Sequence, residues 1–419
     1  MRIPVALGLC LILAAPLTAQ RPAGTALSAS GFAPDRLRRI DGFLQAYADS
    51  GRIAGGVALV MRDGKVVYER AVGFADREAG RRMAPDALFR IASQTKALTT
   101  VAIMILVEEG KIAINNPVSR FIPAYDTTWV AARDSVQGAT RATRRITIRD
   151  LLTHTAGVSY GTDAAVRDAY AARGLGPAAG GGWYTADKDE PVCTTMERLA
   201  TLPFVRQPGD AWVYGYNTDI LGCVVERASG MSLDAFIRAR ITEPLGMRDT
   251  HFFVPEGKRD RLVTVYAMRN GVLERAPDGA LGQGHYARGP MRNFSGGAGL
   301  VSTARDYARL LQMLLNGGEL DGARILSPAS IELMTSNQTG TLYPQAGIGF
   351  GFGFSIVQQP GADNTLAPVG TWGWGGAYGS QYRVDPKNRI VWVYLMNQLP
   401  AGTDVAQKFP TMVYQALVR

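Results

Sequence analysis

The 419-residue chain is poor in histidine and cysteine, with three of each. His154, His251 and His285 have no metal-ligand spacing, so a histidine-held metal is not expected, nor is any cofactor. Lys and Arg outnumber Asp and Glu by 45 to 36, yet they lie scattered among acids, as in DRLRRID and KRDRL. A long basic run and an interleaved aromatic platform are both missing, so the excess reads as a solvated surface and not as a nucleic-acid interface. Beyond the N-terminus no apolar segment reaches transmembrane length, which argues against stable membrane insertion. Fixed-period repeats and low-complexity tracts are absent too. Oligomeric state is not legible.

The N-terminus, MRIPVALGLCLILAAPLTAQ, places Arg2 before an apolar run from Ile3 to Leu17 and a small-residue site, Leu17-Thr18-Ala19. That pattern reads as a secretory signal over residues 1–19, cut after Ala19, of an exported protein, periplasmic or secreted. Cys10 follows bulky Leu9 inside the run and is a poor lipidation site. Removal leaves Cys193 and Cys223. A core of this size needs no staple, so they read as two buried thiols. The alternative, a bridge, is permitted in an oxidising compartment and would contribute roughly 3–4 kcal/mol.

The length suits two domains, or one large domain with an insertion. Phe32 to Ser50 has apolar residues at helical spacing, with Pro34 near the start and Gly51 past the end. GGVALVMR and KVVYERAVG follow, joined by Asp63-Gly64, a hairpin signal. SQYRVD and RIVWVYLMN form a second hairpin near the C-terminus, before a closing helical stretch that contains Pro410. Strands at both ends and helices between them predict an α/β (α+β) fold, a central antiparallel sheet flanked by helices with an inserted helical domain. The division is residues 30–92 and 296–419 for the sheet domain and 93–295 for the helical one.

Gly157-Val158-Ser159-Tyr160-Gly161 fits G-x-S-x-G, the mark of a nucleophile elbow. An elbow needs a strand directly before its serine, but Ile148, Leu151 and Leu152 upstream are spaced as on a helix. Neither His251 nor His285 offers a persuasive third member, so Ser159 reads as a surface or turn serine.

RIASQTKALTTVAIMILVEEG is stronger. Ser93 and Lys96 stand at i and i+3, on one face at the start of a helix that is apolar nearly all round. A buried lysine with no acidic neighbour one turn away shifts toward its neutral amine, a base for the serine proton. The helix N-terminus favours the resulting alkoxide. The bland alternative is an N-cap serine and a lysine snorkelling to the surface. In PGDAWVYGYNTDILG, Tyr214 and Tyr216 lie in a loop before a helix, where a phenol can shuttle protons. In GTWGWGGAYGSQYRVDP, glycines alternate with Trp372 and Trp374 along a strand, a place for a backbone to approach a ligand closely.

S-Q-T-K, Y-G-Y and W-G-G, in that order, resemble the serine β-lactamase and penicillin-binding-protein superfamily. Within it, the class C β-lactamase-like branch that includes family VIII carboxylesterases is the most similar. LLTHTAG, PGDAWVY and EPLGMRDTHFF add to the resemblance, which runs from about Phe32 to the end. It implies a β-lactamase/transpeptidase-like fold with the site between its two regions. It further implies Ser93 as nucleophile, Lys96 and Tyr214 as its proton-transfer partners, and the N–H groups of Ser93 and Ala377 as oxyanion hole. Tyr216, Trp374, Gly375 and Gly376 would meet the substrate. Tyr216 replaces the Asn of Y-x-N, and Trp374 the Lys of K-T-G, which supplies a cation for the substrate's carboxylate. An indole carries no such charge, so the expected activity is a carboxylesterase on short neutral acyl esters, with weak cephalosporin hydrolysis. Two alternatives stand beside it: a β-lactamase or D,D-peptidase, in which another cation such as Arg292 would have to stand in for the lysine, and a catalytically silent penicillin-recognition-type binding protein.

Overall fold

The computed structural model describes residues 30–132, 138–179 and 185–419; the expected signal segment lies outside them. Asp63 (φ 49°) and Gly64 (φ 76°) both take positive φ, as a two-residue hairpin of right-handed twist demands. They join β1 (Gly55–Arg62) to β2 (Lys65–Asp76). A short β3 (Arg81–Arg82) follows, and the C-terminal third supplies β4 (Ile348–Phe350), β5 (Ser355–Val357), β6 (Trp372–Gly375), β7 (Gln381–Asp385) and β8 (Ile390–Leu395). These make one eight-stranded sheet in the order β4-β5-β6-β7-β8-β1-β2-β3, every pairing antiparallel. β8 and β1 pair with Val57 opposite Leu395, so the two ends of the chain close the sheet on each other as predicted.

The helices that frame the site are α1 (Pro34–Asp49), α2 (Thr95–Glu108), α3 (Ile148–Leu152), α4 (Val192–Ala200), α5 (Asn217–Ser229), α6 (Ala304–Leu315) and α7 (Val405–Tyr414). Central strands are buried on both faces, which is why they read as unbroken apolar runs. Val57, Leu59, Val391 and Val393 face the large core shared with α2, α5 and α6. Ala58, Val60, Trp392 and Tyr394 face a second core under α1 and α7. Among the described residues no helix is long and apolar enough to cross a membrane.

Between Ser93 and Ser295 the expectation was helix and loop; the structure adds a hairpin of Tyr266–Arg269 with Val272–Arg275. The reading of two free thiols is overturned. Cys193 on α4 and Cys223 on α5 form a disulfide, because the packing of those helices brings their Cα atoms to 4.9 Å.

Candidate active site

Ser93 sits in a single 3₁₀ turn, Ala92–Gln94, that leads into α2. Ala92 holds φ at 43°, a region that costs an alanine energy, so the turn is set by its surroundings. Those surroundings are the pairing of Phe89–Arg90 with Val301–Ser302 and the bond from Ile91 N to Leu300 O. Threonines of α2 clamp the same segment, with Thr99 Oγ1 donating to Gly296 O at 2.8 Å and Thr95 Oγ1 accepting from Leu300 N at 3.1 Å.

Lys96 does not snorkel. It is 2% exposed, and its ammonium reaches Ser93 Oγ at 3.2 Å, Tyr160 Oη at 3.0 Å and Gly297 O at 2.8 Å. The third contact leads to an acid that lies far away in sequence. Asp219, fully buried on α5, accepts from Gly297 N at 3.1 Å and from Ser295 Oγ at 2.7 Å. Burial pushes its carboxyl pKa up, against the Ser295 hydrogen bond and the charge of Lys96, which draw it down. A Cβ on Gly297 would stand 2.4 Å from Asp219 Oδ2, so this glycine makes room for the carboxylate.

Tyr214 presents its ring face to Lys96, with Nζ 4.7 Å from the centroid, a cation–π contact. Its hydroxyl accepts from Trp374 Nε1 at 3.1 Å. The phenol bonded to Lys96 is therefore Tyr160, which the sequence reading passed over although it lies inside the G-x-S-x-G stretch. Burial, and then the neighbouring Tyr214 and Asp219, push the Tyr160 pKa well above that of a free phenol, so it serves as a neutral hydroxyl. His154 supports this cluster from behind. Its Nδ1 pairs with Asn217 Nδ2 at 2.9 Å, and its ring packs 4.9 Å from that of Tyr214. Burial and the charge of Lys96 hold its pKa well below the usual imidazole value.

β6 closes the other side. A Cβ on Gly376 would come within 2.5 Å of Ile91 O, so only glycine lets this strand end approach the Ser93 turn. The result is a cavity of ≈ 480 Å³ lined by Ser93, Tyr160, Tyr214, Trp374, Gly375 and Ala377. Tyr343, Ile348, Val357, Gln381, Asp363 and Arg383 also line it.

The structure thus brings Ser93, Lys96, Tyr214, Trp374, Gly375 and Ala377 together. Tyr216 it does not: that side chain is fully buried, and its hydroxyl accepts from Gly176 N at 3.0 Å, so it is a core residue and not a substrate contact. Gly376 packs against the Ser93 turn instead of facing this cavity. Ser159 is a turn serine but not a surface one, being 2% exposed with its Oγ accepting from Gly161 N at 3.1 Å. Arg292 is paired with Asp189 at 3.2 Å on the outside and cannot stand in for the missing lysine.

A serine beside a buried lysine at an antiparallel strand end, next to a helical region, defines a serine hydrolase. The chain belongs to the β-lactamase family, whose profile matches residues 40–416. It is 34% identical over 362 residues to esterase EstB of Burkholderia gladioli, covering 83% of this chain and 86% of that one. It is 29% identical over 391 residues to the lovastatin esterase of Penicillium rubens, covering 84% and 90%. Among solved structures, EstCE1, a hydrolase with promiscuous acyltransferase activity, superposes with a TM-score of 0.74 at 30% identity, over 92% of this chain and 99% of its own.

Proposed function

We propose that this serine hydrolase is an exported carboxylesterase that works through an acyl-enzyme on Ser93. The observation that carries the reading is the 3.2 Å contact from Lys96 Nζ to Ser93 Oγ at the edge of a cavity that Tyr160, Tyr214, Tyr343 and Trp374 help to line. Lys96 takes the Ser93 proton as Oγ attacks the ester carbonyl. The N–H groups of Ser93 and Ala377 hold the oxyanion. As the carbon–oxygen bond to the alcohol breaks, the proton passes to the leaving oxygen from the Lys96–Tyr214 side. Water then attacks the acyl-enzyme over the same path in reverse and frees Ser93. Tyr160 acts as a positioning residue, accepting from Lys96 so that the amine faces Ser93.

The esterases among its relatives support an ester as substrate, and Trp374 in place of a lysine counts against an efficient β-lactamase. Export rests on the N-terminal pattern alone. A panel of p-nitrophenyl esters beside nitrocefin tests the reading. Hydrolysis of p-nitrophenyl butyrate well above that of nitrocefin is expected; the reverse order would make the protein a β-lactamase. Failure to label with a fluorophosphonate would mark a silent binder.

A further inference from the structure

The cavity holds a cation that no motif announced. Arg383 of β7 stands opposite Gly373 of β6, and a Cβ on that glycine would come 2.7 Å from Arg383 Cδ. With only hydrogen at position 373, the side chain lies across the strand. Its Nη1 donates to Trp374 O at 3.1 Å and to Tyr382 O at 2.8 Å, which fixes the guanidinium at the cavity wall. Among the described residues its Nε and Nη2 have no protein acceptor and it makes no ion pair. Asp363 lines the same cavity and its charge is felt at Arg383, but the two form no ion pair; its oxygens accept from Thr365, at 3.1 Å from the backbone N and 2.8 Å from Oγ1. A guanidinium keeps its charge under all ordinary conditions, and one that lines a cavity with donors left over can receive an anion there.

From these contacts we infer that Arg383 recognises an anionic group of the substrate. Resting on the esterase reading above, the proposal narrows the substrate class to esters that also carry a carboxylate. Arg383 grips the carbonyl of Trp374, three residues before Ala377, so the anion lies on the order of 10 Å from the reacting carbonyl by strand rise. The ammonium lost at the K-T-G position is replaced from the neighbouring strand, at a different point of the cavity.

Three chromogenic esters test this: p-nitrophenyl butyrate, mono-p-nitrophenyl glutarate with its carboxylate on the acyl side, and 3-carboxy-4-nitrophenyl butyrate with it on the alcohol side. The methyl ester of the glutarate compound serves as neutral isostere. For one of the two acids, kcat/KM should exceed that of its neutral counterpart at low salt, and the advantage should shrink as ionic strength rises. Arg383→Gln should lower the acid-to-neutral ratio about ten- to a hundred-fold, mainly through KM, as loss of a charge-assisted hydrogen bond does. Which acid responds tells whether Arg383 reads the acyl or the alcohol part. Should Arg383→Gln fail to fold, the wild-type comparison of acid, isostere and salt decides alone. Neutral esters hydrolysed as well as both acids, with no salt dependence, would overturn the role of Arg383 and leave the esterase reading intact. No hydrolysis of any ester would sink both.

Discussion

Trp374 Nε1 donates a hydrogen bond to Tyr214 Oη at 3.1 Å. The indole is therefore more than an apolar wall where its superfamily counterparts carry a lysine, because it fixes the direction of the Tyr214 phenol in the cavity that Ser93 lines. Trp374→Phe keeps much of the ring and removes the donor. Its expected effect on p-nitrophenyl butyrate is a fall in kcat of about five- to tenfold, from the loss of a bond worth roughly 1 kcal/mol, with a smaller change in KM. In a Tyr214→Phe background the same substitution should cost little. An unchanged kcat would mean the bond is incidental.

Ser93→Ala should lose ester hydrolysis by several orders of magnitude, as removal of a covalent nucleophile does. Ser159→Ala should stay within a few-fold, since that hydroxyl only caps Gly161 N in a turn. Tandem mass spectrometry of the labelled peptide after fluorophosphonate treatment should place the label on Ser93. A label on Ser159 would refute the whole assignment.

The hydrogen bond from Lys96 goes to Tyr160, while Tyr214 meets it through its ring face. Coupling should follow that geometry. Tyr160→Phe is expected to lower kcat about ten- to a hundred-fold and to cost little more once Lys96→Ala is present. Tyr214→Phe should cost at least as much in wild type and stay closer to additive with Tyr160→Phe. Tyr216→Phe leaves the cavity untouched and should act on thermal stability instead. Full additivity of Tyr160→Phe with Lys96→Ala would remove the positioning role given to Tyr160.

What could be read from the sequence was local. Asp63-Gly64 announces its hairpin, and the three-residue spacing of Ser93 and Lys96 needs only helical geometry. What was missed depends on distant segments meeting. Asp219 reaches Lys96 only through Gly297, and Arg383 reaches the cavity only because the register sets it opposite Gly373. Tyr214 and Tyr216 look equivalent in YGY, but one faces the cavity and the other the core, which loop residues do not reveal. Tyr160 was hidden by the serine beside it.

The Cys193–Cys223 bridge spans a separation of 30 residues and ties α4 to α5, the helix that carries Asp219. Cross-linking a loop of that size contributes about 3–4 kcal/mol in the chain-entropy account. For a chain of this length that corresponds to a melting temperature lower by about 4 °C after reduction. Calorimetry with and without reductant under denaturing pre-treatment checks it, with Cys193→Ala/Cys223→Ala as the permanent form. Identical melting curves would mean the bridge adds nothing to the packing of the two helices.

His154 gives the site its pH dependence. Burial and the charge of Lys96 depress its pKa, so the folded state holds it neutral where the unfolded chain, with a pKa near 6.5, would take a proton. Stability from this group is complete above about pH 6.5 and is lost as pH falls below it, because the unfolded state then binds the additional proton. The loss amounts to about 1.4 kcal/mol per pH unit until the folded pKa is reached. Buried carboxyls with raised pKa, such as Asp306 at about 6, work in the opposite direction, so the whole-protein curve mixes the two. A difference measurement isolates the histidine. His154→Asn keeps an acceptor for Asn217 Nδ2 and tolerates the positive φ of 57° at this position. The variant should be less stable than wild type at pH 7.5, and the gap should narrow steadily between pH 6.5 and 5. A gap independent of pH would show that His154 titrates alike in the folded and unfolded states, and the buried neutral imidazole behind Tyr214 would have to be abandoned.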